Sequence, residues 1–332
     1  MSSSRDRLAD AGETEATVPS QARATVSADA PPDVVSRGLV ATALALIRAL
    51  RPKQWIKNCL VAAAPLAAGS IFEWPILLAT IVAFLCMCAA SSATYLINDF
   101  RDIEADRRHP VKRYRPMASG ALSPTLALTA AVLLIVVALA LAAWQAPALG
   151  FTVATYLVVS ILYSLGLKYE PVLELGLLAL GFLLRAIAGG VAADIPLSNW
   201  FLIVAAFGSL FMAAGKRHSE LDRLRNASAQ QETSRPVLAG YTLPFLRFVW
   251  GLAASVTIAS YCLWTFEVAD GADGVPWAFI SIFPFVLAIL SYARDIDRGA
   301  AEAPEDAVFA DRTLAVSGLM WLVLFGLGAL TT

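Results

Sequence analysis

Two histidines and four cysteines are all that this chain of 332 residues offers for zinc or thiol chemistry. His109 and His218 stand apart from each other and from the cysteines, which excludes a ligand set with zinc-site spacing. Cys59, Cys86, Cys88 and Cys262 all lie inside apolar runs, so they read as small core residues and not as disulfides. Charge is scarce as well. Asp, Glu, Lys and Arg make up 15% of the chain against 58% hydrophobic residues, a balance too apolar for a soluble globular protein. With a net charge of −1, placement of charge matters more than its sum, and nucleic acid is not an expected partner.

What is present is apolar sequence in long blocks. Residues 1–37, rich in Ser, Ala, Thr, Asp, Glu and Pro, form the exception. Without an apolar run or periodicity, they are expected to be a disordered cytoplasmic tail and not a secretory signal. Residues 38–332 are expected to form one all-α, polytopic membrane domain of nine transmembrane helices around a cytoplasm-facing cavity. The nine apolar segments of spanning length fall near 55–72, 76–97, 123–143, 148–166, 171–192, 198–215, 243–266, 275–292 and 313–330. Residues 39–50 read as an amphipathic lead-in lying at the interface.

Placing the tail in the cytoplasm puts every one of the 25 Lys and Arg except Arg185 and Arg247 on the inner side. The outer loops then carry Glu73, Asp194, Glu267, Asp270 and Asp273 and no base, as the positive-inside rule requires. The large inner loops follow spans two and six, a spacing that hints at an internally duplicated unit.

The first of them, NDFRDIEADRRHPVKRYRP over 98–116, concentrates the chemistry. At about 100° per residue, Asp99, Asp102 and Asp106 share one helical face, at roughly 0°, 300° and 340°. Three like charges on one face repel unless a cation sits against them. Carboxylate oxygens of this kind suit Mg²⁺, which completes its shell with water and substrate phosphate. A solvated acidic helix start is the plainer alternative, but it leaves six bases within 101–115 unexplained. The second loop opens GKRHSELDRLR, where Lys216, Glu220 and Arg223 share a face with Arg217 beside them. Arg185 lies well inside the fifth apolar segment, where a cation is costly and faces a polar cavity or a partner. Lys168, with Tyr163 about a turn inward, stands at the mouth between segments four and five.

Together these residues resemble the UbiA superfamily of membrane-embedded prenyltransferases, whose NDxxDxxxD signature is matched by Asn98, Asp99, Asp102 and Asp106. That resemblance implies a Mg²⁺–diphosphate site. The family's second aspartate-rich set is replaced here by Lys216, Arg217 and Glu220. With RPKQWIKN, YSLGLK, LLRAIAGGVA and LRFVW, this departure resembles one branch, the decaprenyl-phosphate phosphoribosyltransferases of cell-wall arabinan synthesis. The branch implies transfer of phosphoribose from 5-phosphoribosyl 1-diphosphate to a polyprenyl phosphate, with diphosphate released, at the plasma membrane. On this reading Asn98, Asp99, Asp102 and Asp106 hold Mg²⁺. Asp99, Asp102 and Arg185 are the catalytic residues. Lys57, Lys112, Arg115, Tyr163, Lys168, Arg185, Lys216, Arg217 and Glu220 bind substrate. A homo-oligomer is compatible with it. The competing readings are a prenyltransferase using a prenyl diphosphate and an aromatic or haem-type acceptor, and a secondary transporter.

Overall fold

A computed structural model of the chain describes residues 38–226, 236–269, 275–301 and 310–331. The expected tail over 1–37 lies outside them. Every regular element among the described residues is a helix, and there is no strand among them.

The expected lead-in is α1 (Leu39–Leu50). In place of a long α-helix over the first apolar segment, the chain winds an 11-residue 3₁₀ helix, Pro52–Ala62, that runs on into α2 (Ala63–Ala67). A 3₁₀ run of that length is uncommon. At roughly 2.0 Å rise per 3₁₀ residue and 1.5 Å per α residue, the two pieces together reach roughly 30 Å, the thickness of a bilayer's hydrocarbon core.

Eight further segments are long and apolar enough to cross a membrane. They are α3 (Trp74–Arg101), α5 (Pro124–Gln145), α6 (Pro147–Leu165), α7 (Leu173–Ala192), α8 (Asn199–Asn226), α9 (Leu243–Ala269), the pair α10 (Trp277–Ile280) and α11 (Ile282–Asp297), and α12 (Arg312–Thr331). A short α4 (Ile103–Arg108) follows α3. Pro284 explains why the seventh of these segments is split: lacking an N–H, it cannot bond the carbonyl of Ile280.

Small residues let the helices approach. Along α5, the buried Ala127, Ala131, Ala138 and Ala142 recur at coiled-coil spacing and face α3, while Val132, Leu133, Val136 and Val137 point outward to lipid. Van der Waals packing of small residues must hold these helices together, because lipid is as apolar as leucine. At Gly189 of α7 the approach is extreme. A Cβ there would lie 1.7 Å from the carbonyl oxygen of Val61, so only glycine lets α7 press on the 3₁₀ segment.

Two helices of 28 residues decide where the polar chemistry sits. At 1.5 Å per residue, α3 and α8 each reach roughly 42 Å, beyond the hydrocarbon core, so each carries a charged end past the lipid. For α8 this differs from expectation. The loop anticipated from Lys216 is helical to Asn226, since GKRHSELDRLRN contains no breaker after Gly215 and pairs Arg217 with Glu220 one turn on. Its continuation over 227–235 lies outside the described residues.

Candidate active site

The three aspartates do not sit on one uninterrupted helix. α3 stops at Arg101, and Asp102 (φ −92°, ψ 6°) is the joint from which α4 departs. The turn still gathers them. Asp99 and Asp106 are buried and Asp102 is half-buried. The side-chain amide of Asn98 donates to Asp102 Oδ2 at 3.1 Å.

Each aspartate meets a cation from elsewhere in the chain. Arg51 donates to Asp99 Oδ1 at 2.5 Å, and Arg115 reaches the same oxygen at 3.1 Å and Asp106 Oδ2 at 2.8 Å. Lys168 lies 3.3 Å from both oxygens of Asp102. Arg51 is placed by a left-handed backbone (φ 55°) at the corner between α1 and Pro52, and its guanidinium lies 4.9 Å from the ring centroid of Tyr95. A non-glycine residue in that region is strained, and such strain persists only where its surroundings hold it. Arg101 turns the other way and donates to the terminal carbonyl of Ser164, capping α6.

A second cluster adjoins the first through the end of α6 and the start of α7. Glu174 is wholly buried. Its Oε1 accepts from Arg217 Nε at 2.9 Å, from Arg217 Nη2, and from the Tyr163 hydroxyl at 3.3 Å. Arg217 Nη1 donates to Glu220 Oε2 at 2.5 Å. The loop before α7 is pinned by Val172, whose N–H donates to the Tyr241 hydroxyl at 2.8 Å. Thus Tyr163, Arg217 and Glu220 come together around a carboxylate, with Arg217 buried and Lys216 half-buried.

Arg185 forms a third, separate cluster. Its Nε donates to Asn58 Oδ1, Nη1 to the Gly181 carbonyl and Nη2 to the Tyr156 hydroxyl, each at 2.8 Å. Asn58 passes the connection on to Ser91 at 3.3 Å. Lys57, Lys112 and Lys216 are half-buried. A cavity of about 370 Å³ lies far from all of this, at the other end of the bundle beside Asn199, Trp200 and Glu267, with none of these residues in its lining.

Residues 58–330 match the model of the UbiA prenyltransferase family. The chain belongs to that family. It is 46% identical to the decaprenyl-phosphate phosphoribosyltransferase of Mycolicibacterium smegmatis over 292 residues, covering 85% of this chain and 91% of that one. It is 45% identical to the enzyme of the same name from Mycobacterium tuberculosis over 298 residues, covering 89% and 97%. Among solved structures, a UbiA homolog from Archaeoglobus fulgidus bound to GPP and Mg²⁺ superposes with a TM-score of 0.62, covering 87% of this chain and all of that one. At 16% identity it is a likeness of fold.

Whether the UbiA signature residues fit a metal can be judged from their oxygens. Among the described residues no three His, Cys, Asp or Glu side chains converge as a ready-made metal shell. The cations take that place. Yet the cations engage only Oδ1 of Asp99 and only Oδ2 of Asp106, and Asn98 uses only its amide nitrogen. The opposite oxygen of each is a hard donor of the kind that suits Mg²⁺, while Asp102, both of whose oxygens are met by Lys168, could join them only as Lys168 turns away.

The sequence reading missed Arg51, Asn58 and Glu174 as parts of these clusters. Glu174 carried the signal that singled out Arg185, a charge flanked by apolar residues in VLELG. Arg51 offered only a base before a proline, and Asn58 only an amide at the edge of an apolar run.

Proposed function

We propose that the protein transfers the 5-phosphoribosyl group of 5-phosphoribosyl 1-diphosphate to decaprenyl phosphate or a related polyprenyl phosphate. The C1–O bond to diphosphate breaks, and a C1–O bond to the lipid phosphate forms. The observation that carries this reading is the identity of 45–46% with decaprenyl-phosphate phosphoribosyltransferases over most of both chains. The composition of the site supports it. A phosphoribosyl donor brings a diphosphate and a separate 5-phosphate, and the acceptor brings a third phosphate, so cations are needed where a prenyl diphosphate would need a second acidic metal site.

Asp99, Asp102 and Asp106, with the Asn98 carbonyl, would hold Mg²⁺, which supplies Lewis-acid neutralisation of the leaving diphosphate. Arg115 and Lys168 stand against those carboxylates and can turn to phosphate oxygens, Arg115 in bidentate fashion. Lys57, Lys112 and Lys216 are assigned to the remaining phosphates. Tyr163 and Glu220 fix the Arg217 guanidinium through the contacts they share with it and with Glu174. Arg185, expected to touch substrate, is engaged at all three nitrogens, so we assign it a positioning role: through Asn58 it fixes the segment that carries Lys57. The acceptor phosphate is already anionic and needs no general base. Catalysis is then positioning and electrostatic stabilisation of an oxocarbenium-like transition state.

On this reading a long lipid tail lies along the apolar helix faces, the sugar enters from the cytoplasm, and the reaction takes place at the inner face of the plasma membrane. The test is a choice of donors. Purified protein with Mg²⁺ and a polyprenyl phosphate should incorporate label from phosphoribosyl diphosphate. Label moving instead from a prenyl diphosphate to an aromatic acceptor, or substrate crossing vesicles intact without diphosphate release, would overturn the assignment.

A further inference from the structure

Three carboxylates, Asp99, Asp102 and Asp106, are met by at least three cations, Arg51, Arg115 and Lys168, so their charge is already balanced. We infer that Arg51 and Arg115 are counterions that compete with the metal in the donor-free enzyme and become diphosphate ligands once the donor enters, so that metal and donor bind together. The inference rests on the function proposed above and adds Arg51 to its machinery.

A divalent ion arriving alone adds two positive charges to a balanced cluster and must displace guanidinium groups 2.5 to 3.1 Å from Asp99. Metal with a diphosphate brings roughly one negative charge in all at neutral pH, and its oxygens offer the displaced guanidiniums new bidentate partners. Arg51 and Arg115 hold Oδ1 of Asp99 and Oδ2 of Asp106, so the ion can approach on the opposite oxygens before the arginines have wholly left.

Geometry singles out Arg51. A residue with no ligand to meet has little reason to hold a left-handed backbone (φ 55°) beside a buried carboxylate, with its guanidinium laid on Tyr95. It sits at the junction of α1 and the 3₁₀ segment, on the same side as Asp99 and Arg115.

Two readouts of opposite sign test this. Mn²⁺ alone is titrated into detergent-purified wild type, Arg51→Gln and Arg115→Gln, with free Mn²⁺ counted by electron paramagnetic resonance and no donor present. Removing a competing cation should tighten Mn²⁺ binding by about 3- to 10-fold, while KM for the donor at saturating Mg²⁺ rises about 10-fold or more. A merely structural arginine would weaken or leave unchanged the Mn²⁺ affinity, and that result overturns the inference. Having two variants guards against one that fails to fold, which size-exclusion and melting profiles identify. The Mn²⁺ titration is independent of the donor. A wild type that binds Mn²⁺ but makes no lipid-linked ribose phosphate indicts the proposed function, whereas product with unchanged variant affinities indicts the arginine exchange.

Discussion

Removing the Glu174 carboxylate should destabilise this protein more than any surface charge could. Glu174 is fully buried and Arg217 is 1% exposed. Glu174→Ala strips Arg217 of two of its hydrogen bonds and Tyr163 of one, and leaves a guanidinium with Glu220 as its remaining partner in this cluster. Breaking a buried pair by deleting one partner costs about 3–5 kcal/mol, because the surviving charge is uncompensated. Glu220 persists, which puts the expected loss near the lower end, about 3 kcal/mol. Glu174→Gln keeps the shape and one acceptor oxygen, puts an NH₂ donor in place of the other and loses the charge, so it should cost about 1.5–3 kcal/mol. The revealing variant is the double one. Glu174→Leu combined with Arg217→Met removes both charges and should recover much of the single-variant loss in reversible unfolding from detergent micelles, even though activity is gone. A Glu174→Ala protein as stable as wild type, or a double variant no better than the single, would refute the claim that this pair is a buried charge constraint.

Other consequences follow from single contacts. Arg185→Lys keeps the charge but cannot satisfy Asn58, Gly181 and Tyr156 together, and should cost about 2–4 kcal/mol in the same unfolding assay. Gly189→Ala forces a Cβ into the Val61 carbonyl and must displace the 3₁₀ segment, with a loss of about 3 kcal/mol or more and slowed turnover, both measurable on purified protein. Chelation with EDTA should abolish product formation, and Mg²⁺ should restore it while leaving the melting profile nearly unchanged, since the three cations already neutralise the aspartates.

Long apolar runs made most of the fold legible in the sequence, because every backbone polar group in lipid must be satisfied within its own helix. α1 and the spanning helices from α3 onward fall close to the segments read from composition, except that α8 runs on past 215 to Asn226. The first crossing was harder. Its Lys53, Gln54, Lys57 and Asn58 gave no cue that the backbone would tighten to 3₁₀ or that Asn58 would turn inward to Arg185. Asp99, Asp102 and Asp106 could be grouped from spacing alone, since they are close in sequence. Their counterions could not, because Arg51 is 48 residues from Asp99 and Lys168 is 66 from Asp102. The pairing of Glu174 with Arg217, 43 residues apart, is equally a product of how α7 meets α8.

The most direct test of the aspartate site compares wild type with Asp99→Asn and Asp102→Asn under saturating Mg²⁺, labelled phosphoribosyl diphosphate and decaprenyl phosphate. Diphosphate release and lipid-linked ribose phosphate are counted in the same reaction. The account predicts one diphosphate per labelled lipid in wild type, and a loss of at least about 100-fold in both for each variant, whose leaving group is no longer neutralised. Full turnover in either variant, or diphosphate release without labelled lipid in wild type, would contradict it.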